Sequence, residues 1–171
     1  SISSRGVILT ICVVLLLSGI TVLATTDRGQ KMLGYSPAVK ISLTANVERD
    51  KKLQPVNSKT VVSSGEVINW NLSSVNEGNA AAQGFKAVGA IPAGTTYIAD
   101  SASGEASAIA SFSIDGGKSF SEQPMVEETQ PDGSVKQVPA PVSAYTNIRF
   151  QWDTAFEAGE KLNAQYRVRV K

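Results

Sequence analysis

From Val39 onward the chain alternates between apolar and polar side chains with a period of two. Val39, Ile41, Leu43, Ala45 and Val47 are separated by Lys40, Ser42, Thr44 and Asn46, which predicts a half-buried strand. Ile68, Trp70 and Leu72 repeat the pattern, and Ile148, Phe150 and Trp152 form another inward row. Leu162, Ala164, Tyr166, Val168 and Val170 alternate without a break against Asn163, Gln165, Arg167, Arg169 and Lys171. Shorter strand signals lie at 61–62, 84–91, 97–98 and 109–114, with Phe120 resuming beyond the last. Turn chemistry separates them: Ser63-Ser64-Gly65, Glu77-Gly78-Asn79, Pro92-Ala93-Gly94-Thr95 and Asp115-Gly116-Gly117. The polar run Arg49 to Gln54 is expected only to close the first strand. Residues 121–143, with Pro124, Pro131, Pro139 and Pro141, read as a long loop or a ragged edge hairpin. About seven short strands with no helical period between them predict a mainly β domain, an Ig-like antiparallel β-sandwich.

The start of the chain obeys a different rule. Val7 to Ala24 reads VILTICVVLLLSGITVLA and contains no charge. As a helix it covers roughly 27 Å, about the hydrocarbon thickness of a bilayer. Arg5 flanks it on one side and Asp27, Arg28 and Lys31 on the other, so flanking charge sets no orientation. The chain divides into residues 1–35, a hydrophobic helix and hinge, and residues 36–171, the β domain. A chain that begins at Ser1 and still carries the run argues against a removed signal peptide. A permanent membrane anchor and the core helix of a filament are left, and the filament is the reading carried forward. Val7, Ile11, Val14, Leu16, Leu17, Ile20 and Leu23 are then the assembly residues. The partners expected are further copies of the chain, and the membrane before assembly or as a permanent anchor.

Composition narrows the chemistry. With 16 basic and 15 acidic side chains, the chain has no basic excess with which to bind nucleic acid. Histidine is absent, which removes the commonest general base and metal ligand. The one cysteine, Cys12, lies within the apolar run and has no partner for an intrachain disulfide. A serine hydrolase has neither its histidine nor a GxSxG turn. Asp115 with Asp100 or Asp132 lacks the ligand spacing of a calcium loop, so a hairpin turn is expected at 115–117. No catalytic residue, cofactor or metal ligand is assigned, and the chain is read as a non-enzymatic protein.

Two surface readings complete the picture. Arg167, Arg169 and Lys171 share one face of the last strand, and are expected to be a solvated edge or a contact with a neighbouring subunit. Trp70, Phe85, Phe150, Trp152 and Tyr166 fall mostly on inward rows and are expected in the core. Tyr97 and Tyr145, beside turns, are the aromatics expected at the surface.

Three separated blocks carry a resemblance. The first is Asn76-Glu77-Gly78-Asn79-Ala80-Ala81, Gly84-Phe85, Ala90-Ile91-Pro92-Ala93-Gly94-Thr95-Thr96-Tyr97-Ile98 and Asp100-Ser101-Ala102. The second is Phe112 to Phe120, and the third joins Thr146 to Phe150 with Ala158 to Val170. In this order they resemble the conserved repeat domain of prokaryotic surface proteins, also called domain of unknown function eleven. The resemblance spans about residues 39–171 and implies an Ig-like sandwich at the cell surface, with no catalytic residues. The layout of polar start, apolar helix and β domain is similar to that of an archaeal-type pilin. Bacterial pilins typically carry Glu at the fifth position, where this chain has Arg5. Together these imply a subunit that polymerises through its helix outside the cell.

Overall fold

Alternating side chains give each strand one face to bury, and the chain buries those faces by forming antiparallel sheets. The computed structural model describes residues 34–171. The predicted apolar helix, with Val7, Ile11, Val14, Leu16, Leu17, Ile20 and Leu23, lies outside the described residues. Among those described, no helix is long and apolar enough to cross a membrane. The strands are β1 (Val39–Arg49), β2 (Lys52–Pro55), β3 (Val67–Asn76), β4 (Lys86–Ala90), β5 (Thr95–Tyr97), β6 (Ser103–Gly104), β7 (Ile109–Ser113), β8 (Met125–Thr129), β9 (Val135–Pro139), β10 (Asn147–Gln151) and β11 (Lys161–Val170). A single 3₁₀ turn, Val142–Ala144, precedes β10.

The larger sheet runs β2-β1-β3-β11-β5, with β6 also on β11, while the smaller runs β4-β10-β7 and β8 pairs only with β9. At the centre, β3 pairs with β1 from Val39↔Asn76 to Val47↔Ile68, and with β11 from Lys161↔Val75 to Arg169↔Val67. This register sets Ala45, Trp70 and Tyr166 in one row, with the Trp70 and Tyr166 rings stacked at 6.5 Å between centroids. Ile148 and Phe150 of the smaller sheet join the same hydrophobic cluster as Ile68, Leu72, Tyr166 and Val168 of the larger. Beyond the end of β10, Phe85 packs 5.2 Å from Trp152 and 4.9 Å from Phe156, centroid to centroid.

One hydrogen bond joins the two sheets through the core. The buried Tyr166 hydroxyl donates to the carbonyl of Ala90 at 2.6 Å. Burial pushes the phenol well above its ordinary pKa, so it stays protonated and keeps donating. Gly89 makes the approach possible: a Cβ there would stand 2.7 Å from the tyrosine ring and hydroxyl.

Several expectations change. The run Arg49 to Gln54 does more than close β1. Asp50 and Lys51 take left-handed φ values of 51° and 60° and turn the chain into β2. Left-handed central residues are the geometry of a two-residue hairpin, here built without the Asn-Gly signal that usually announces it. Val61 and Val62 form no strand. Residues 121–143 contain a regular hairpin, β8–β9, closed through Gly133 at φ 82°. Leu43 holds the inward register but is 40% exposed, since β2 covers only the far end of β1. Tyr97 is buried at 4% exposure and Tyr145 is half-buried, packed with Phe112 at ring distances of 4.7 to 5.9 Å. Their place beside turns hid the fact that the ring of each closes an aromatic triad.

Tyr166→Phe removes the donor and leaves the Ala90 carbonyl unmatched. It should cost about 1–2 kcal/mol in urea denaturation, and a midpoint equal to that of the wild type would show that the bond contributes nothing.

Candidate assembly junction

The chain enters the described domain at Gly34, and the way residues 34–38 are held is its most elaborate polar arrangement. Asn76 ends β3 on the inward row of Ile68, Trp70, Leu72 and Ser74, and its side chain is fully buried. A buried amide needs partners for both its oxygen and its nitrogen. The Asn76 Oδ1 accepts from the backbone N–H of Ala38 and of Gly78, each at 3.1 Å. Its Nδ2 donates to the carbonyls of Ala80 at 2.8 Å and Phe156 at 2.9 Å. The backbone of Asn76 also takes an N–H from Gly159 at 2.7 Å and gives one to Glu160 at 3.1 Å. One residue thus ties the entering segment, the β3–β4 turn and the β10–β11 connection.

Asn79 extends the grip outward. Its Oδ1 accepts from the Ser36 N–H at 2.8 Å, and its Nδ2 donates to the Gly34 carbonyl at 3.1 Å. The Asn79 and Glu77 amides donate to the carbonyls of Ser36 and Ala38 at 3.2 and 2.8 Å. Lys40 and Glu77 form an exposed ion pair beside them. Between the two asparagines, Gly78 lies so close to the entering chain that a Cβ would collide with the Ala38 nitrogen and Ser36 oxygen. That contact is with backbone and cannot be relieved by a rotamer change.

The junction was missed as a site in the sequence, where Glu77-Gly78-Asn79 read only as a turn. One signal pointed to it. Asn76 has the parity of an inward position, and an amide on an inward row must be a hydrogen-bonding centre.

The other candidates resolve differently. Asp115 Oδ1 accepts from the Ser113 hydroxyl at 2.6 Å and from the amides of Lys118 and Ser119 at 3.0 Å, and Oδ2 accepts from the Ser119 hydroxyl at 2.6 Å. These donors, Ser113 foremost, hold its pKa well below the usual range and make it the anchor of a turn. Among the described residues, no group of three or more His, Cys, Asp or Glu is placed to hold a metal ion. Arg167 and Arg169 lie exposed on the outward row of β11, an interior strand between β3 and β5 and not the expected edge, Lys171 follows exposed just past its end, and Arg169 Nη1 donates to the Gly65 carbonyl at 3.0 Å. Nearby, Arg49 pairs with Glu66 through two nitrogens at 2.6 and 3.0 Å, which lowers the Glu66 pKa. An open cleft of about 410 Å³ is lined by Asn71, Ser103, Glu105, Asn163 and Gln165. Its polar groups largely bond one another, as where Asn163 gives two N–H groups to Glu105 Oε2 at 2.8 and 3.0 Å.

No family model matches the chain, and neither does any curated protein or solved structure.

Asn76→Ala should cost about 2–4 kcal/mol in denaturation, because it strands donors and acceptors together. Asn79→Ala, at the exposed end of the same grip, should cost under about 1 kcal/mol. Equal costs would refute the assignment of Asn76 as the centre. Asp115 and Glu66 both have lowered folded pKa values, so their contribution is complete above about pH 5 and is lost as pH falls through the unfolded and then the lowered folded values. The melting temperature should drop on acidification below that point, and less steeply in Asp115→Asn. Parallel acid profiles for wild type and variant would count against the turn as a source of the effect.

Proposed function

We propose that the chain is a non-enzymatic structural subunit of an extracellular, pilin-like filament, with the Val7 to Ala24 helix in the filament core and an Ig-like β-sandwich outside. The observation that carries this reading is the junction. An uncharged segment of bilayer length precedes a domain that grips the intervening chain at Gly34, Ser36 and Ala38. A tether that only kept a module near a membrane would need no such grip, whereas load passing from a helical core to an outer domain must cross this point. The shared core of the two sheets favours the sandwich. The resemblance to the conserved repeat domain of surface proteins favours a place at the cell surface.

Assembly on this reading draws on the apolar helix face, at roughly 25 cal/mol for each Å² removed from water. Val7, Ile11, Val14, Leu16, Leu17, Ile20 and Leu23 supply that face, and before assembly the same segment would reside in the membrane.

A charge in the helix should abolish assembly without touching the domain. Val14→Asp or Leu16→Asp should give no filaments by negative-stain electron microscopy, with the β signal in circular dichroism retained. Normal filaments from either variant would overturn the reading. Wild-type material found only as membrane-bound monomers would replace it with a tethered surface module.

A further inference from the structure

The β8–β9 hairpin is the one two-stranded sheet among the described residues that lies outside both larger sheets. It hangs from the free edge of β7, where Phe112 and Ser121 exchange hydrogen bonds at 2.7 and 3.0 Å and the Ala140 N–H donates to the Pro124 carbonyl at 2.8 Å. Beyond that base its strands are almost wholly exposed. Directly paired residues share a face, so Met125, Glu127 and Thr129 lie with Pro139, Gln137 and Val135. That face leaves Met125 at 43% and Val135 at 61% exposure, on either side of Glu127. Segment 122–136 carries four carboxylates, Glu122, Glu127, Glu128 and Asp132, against the single cation Lys136. Of the two strand acids, Glu127 lies on this face between Met125 and Val135, while Glu128 lies on the other, opposite Lys136.

The larger sheet presents the opposite chemistry. The outward row of β11 reads Lys161, Asn163, Gln165, Arg167, Arg169 and Lys171, with four cations and no carboxylate. Across from Arg167 stands Asn69, and across from Arg169 stand Val67 and Thr96, so neither arginine has an acid opposite it. Glu66, the acid at this end of the sheet, is already held by Arg49. Only two ion pairs form among the described residues, Lys40–Glu77 and Arg49–Glu66. The hairpin's carboxylates and the β11 cations enter neither. Arg167 to Lys171 and a five-residue hairpin strand each span about 13 Å from first to last residue, so one can lie along the other. Val67, half-buried beside Arg169, offers an apolar contact for Met125 or Val135.

The hairpin leaves the edge of the smaller sheet, while the β11 row faces away from the core on the larger. We propose that the β8–β9 hairpin of one copy docks on the Arg167–Arg169–Lys171 row of the next. The contact joins two different patches, so it is heterologous and propagates from copy to copy instead of closing a dimer. It rests on the filament reading and adds a second bond to it, between outer domains. Complementary charge fixes the register and excludes the reverse pairing of like surfaces.

Charge exchange tests it on full-length chains, with filaments counted by electron microscopy. Glu127→Lys, and separately Arg167→Glu with Arg169→Glu, should each lower filament yield about tenfold or more. All three substitutions together should restore yield to within about twofold of wild type. Circular dichroism of each variant checks the fold, and the neutral pair Arg167→Gln with Arg169→Gln gives an intermediate loss that does not depend on repulsion. Yields unchanged by either reversal, or no recovery when both are combined in folded chains, would overturn the contact and leave the helix-driven filament standing. A wild-type chain that forms no filaments at all removes the filament reading, and the contact with it.

Discussion

A side-chain amide taken out of water is destabilising until its oxygen and both its hydrogens are matched, and the architecture at one end of this domain follows from that demand at Asn76. The residue sits where β3 runs out, on the row that faces the core. To satisfy it, the chain must bring the Ala38 amide, the Gly78 amide and the Ala80 and Phe156 carbonyls to one point. That requirement fixes how the chain enters β1, how it turns out of β3 and how it returns into β11. Loosening any one of these segments would strand the others, so the contacts stand or fall together.

The second fixed point is Tyr166. Its hydroxyl crosses from the larger sheet to Ala90 on the smaller, over a glycine that leaves room for the ring. Asn76 thus fixes the end of the domain and Tyr166 fixes the separation of the sheets. Between them the apolar rows of β3, β10 and β11 pack as one cluster. The outward rows carry the chain's exposed charges, some of them tied locally, as where Arg169 donates to the Gly65 carbonyl.

Much of the fold was legible in the sequence because a period of two leaves little freedom. The rows 68–72, 148–152 and 162–170 place their large side chains in the core as their parity demands. What was hidden depended on geometry without a residue signature. Asp50-Lys51 makes a tight turn without glycine, and with Pro124, Pro131, Pro139 and Pro141 the sequence left a loop and a ragged edge hairpin both open, of which the structure shows the hairpin. Tyr97 and Tyr145 looked exposed because each lies next to a turn, yet Phe112 draws both inward. The junction was half visible. Its residues stood out as a block, but which segment they grip depends on pairing between residues some forty positions apart. The outward position of Arg167, Arg169 and Lys171 follows directly from alternation.

The central claim is that Asn76 locks residues 34–38 into the domain as firmly as its own strands. Amide hydrogen exchange on the full chain, followed residue by residue, measures this directly. The amides of Ala38 and Gly78, which donate to the Asn76 side chain, should exchange as slowly as those in the middle of β3, through global unfolding alone. Exchange at the rate of the exposed β8–β9 turn would show that the entering segment frays independently, and that Asn76 does not lock it.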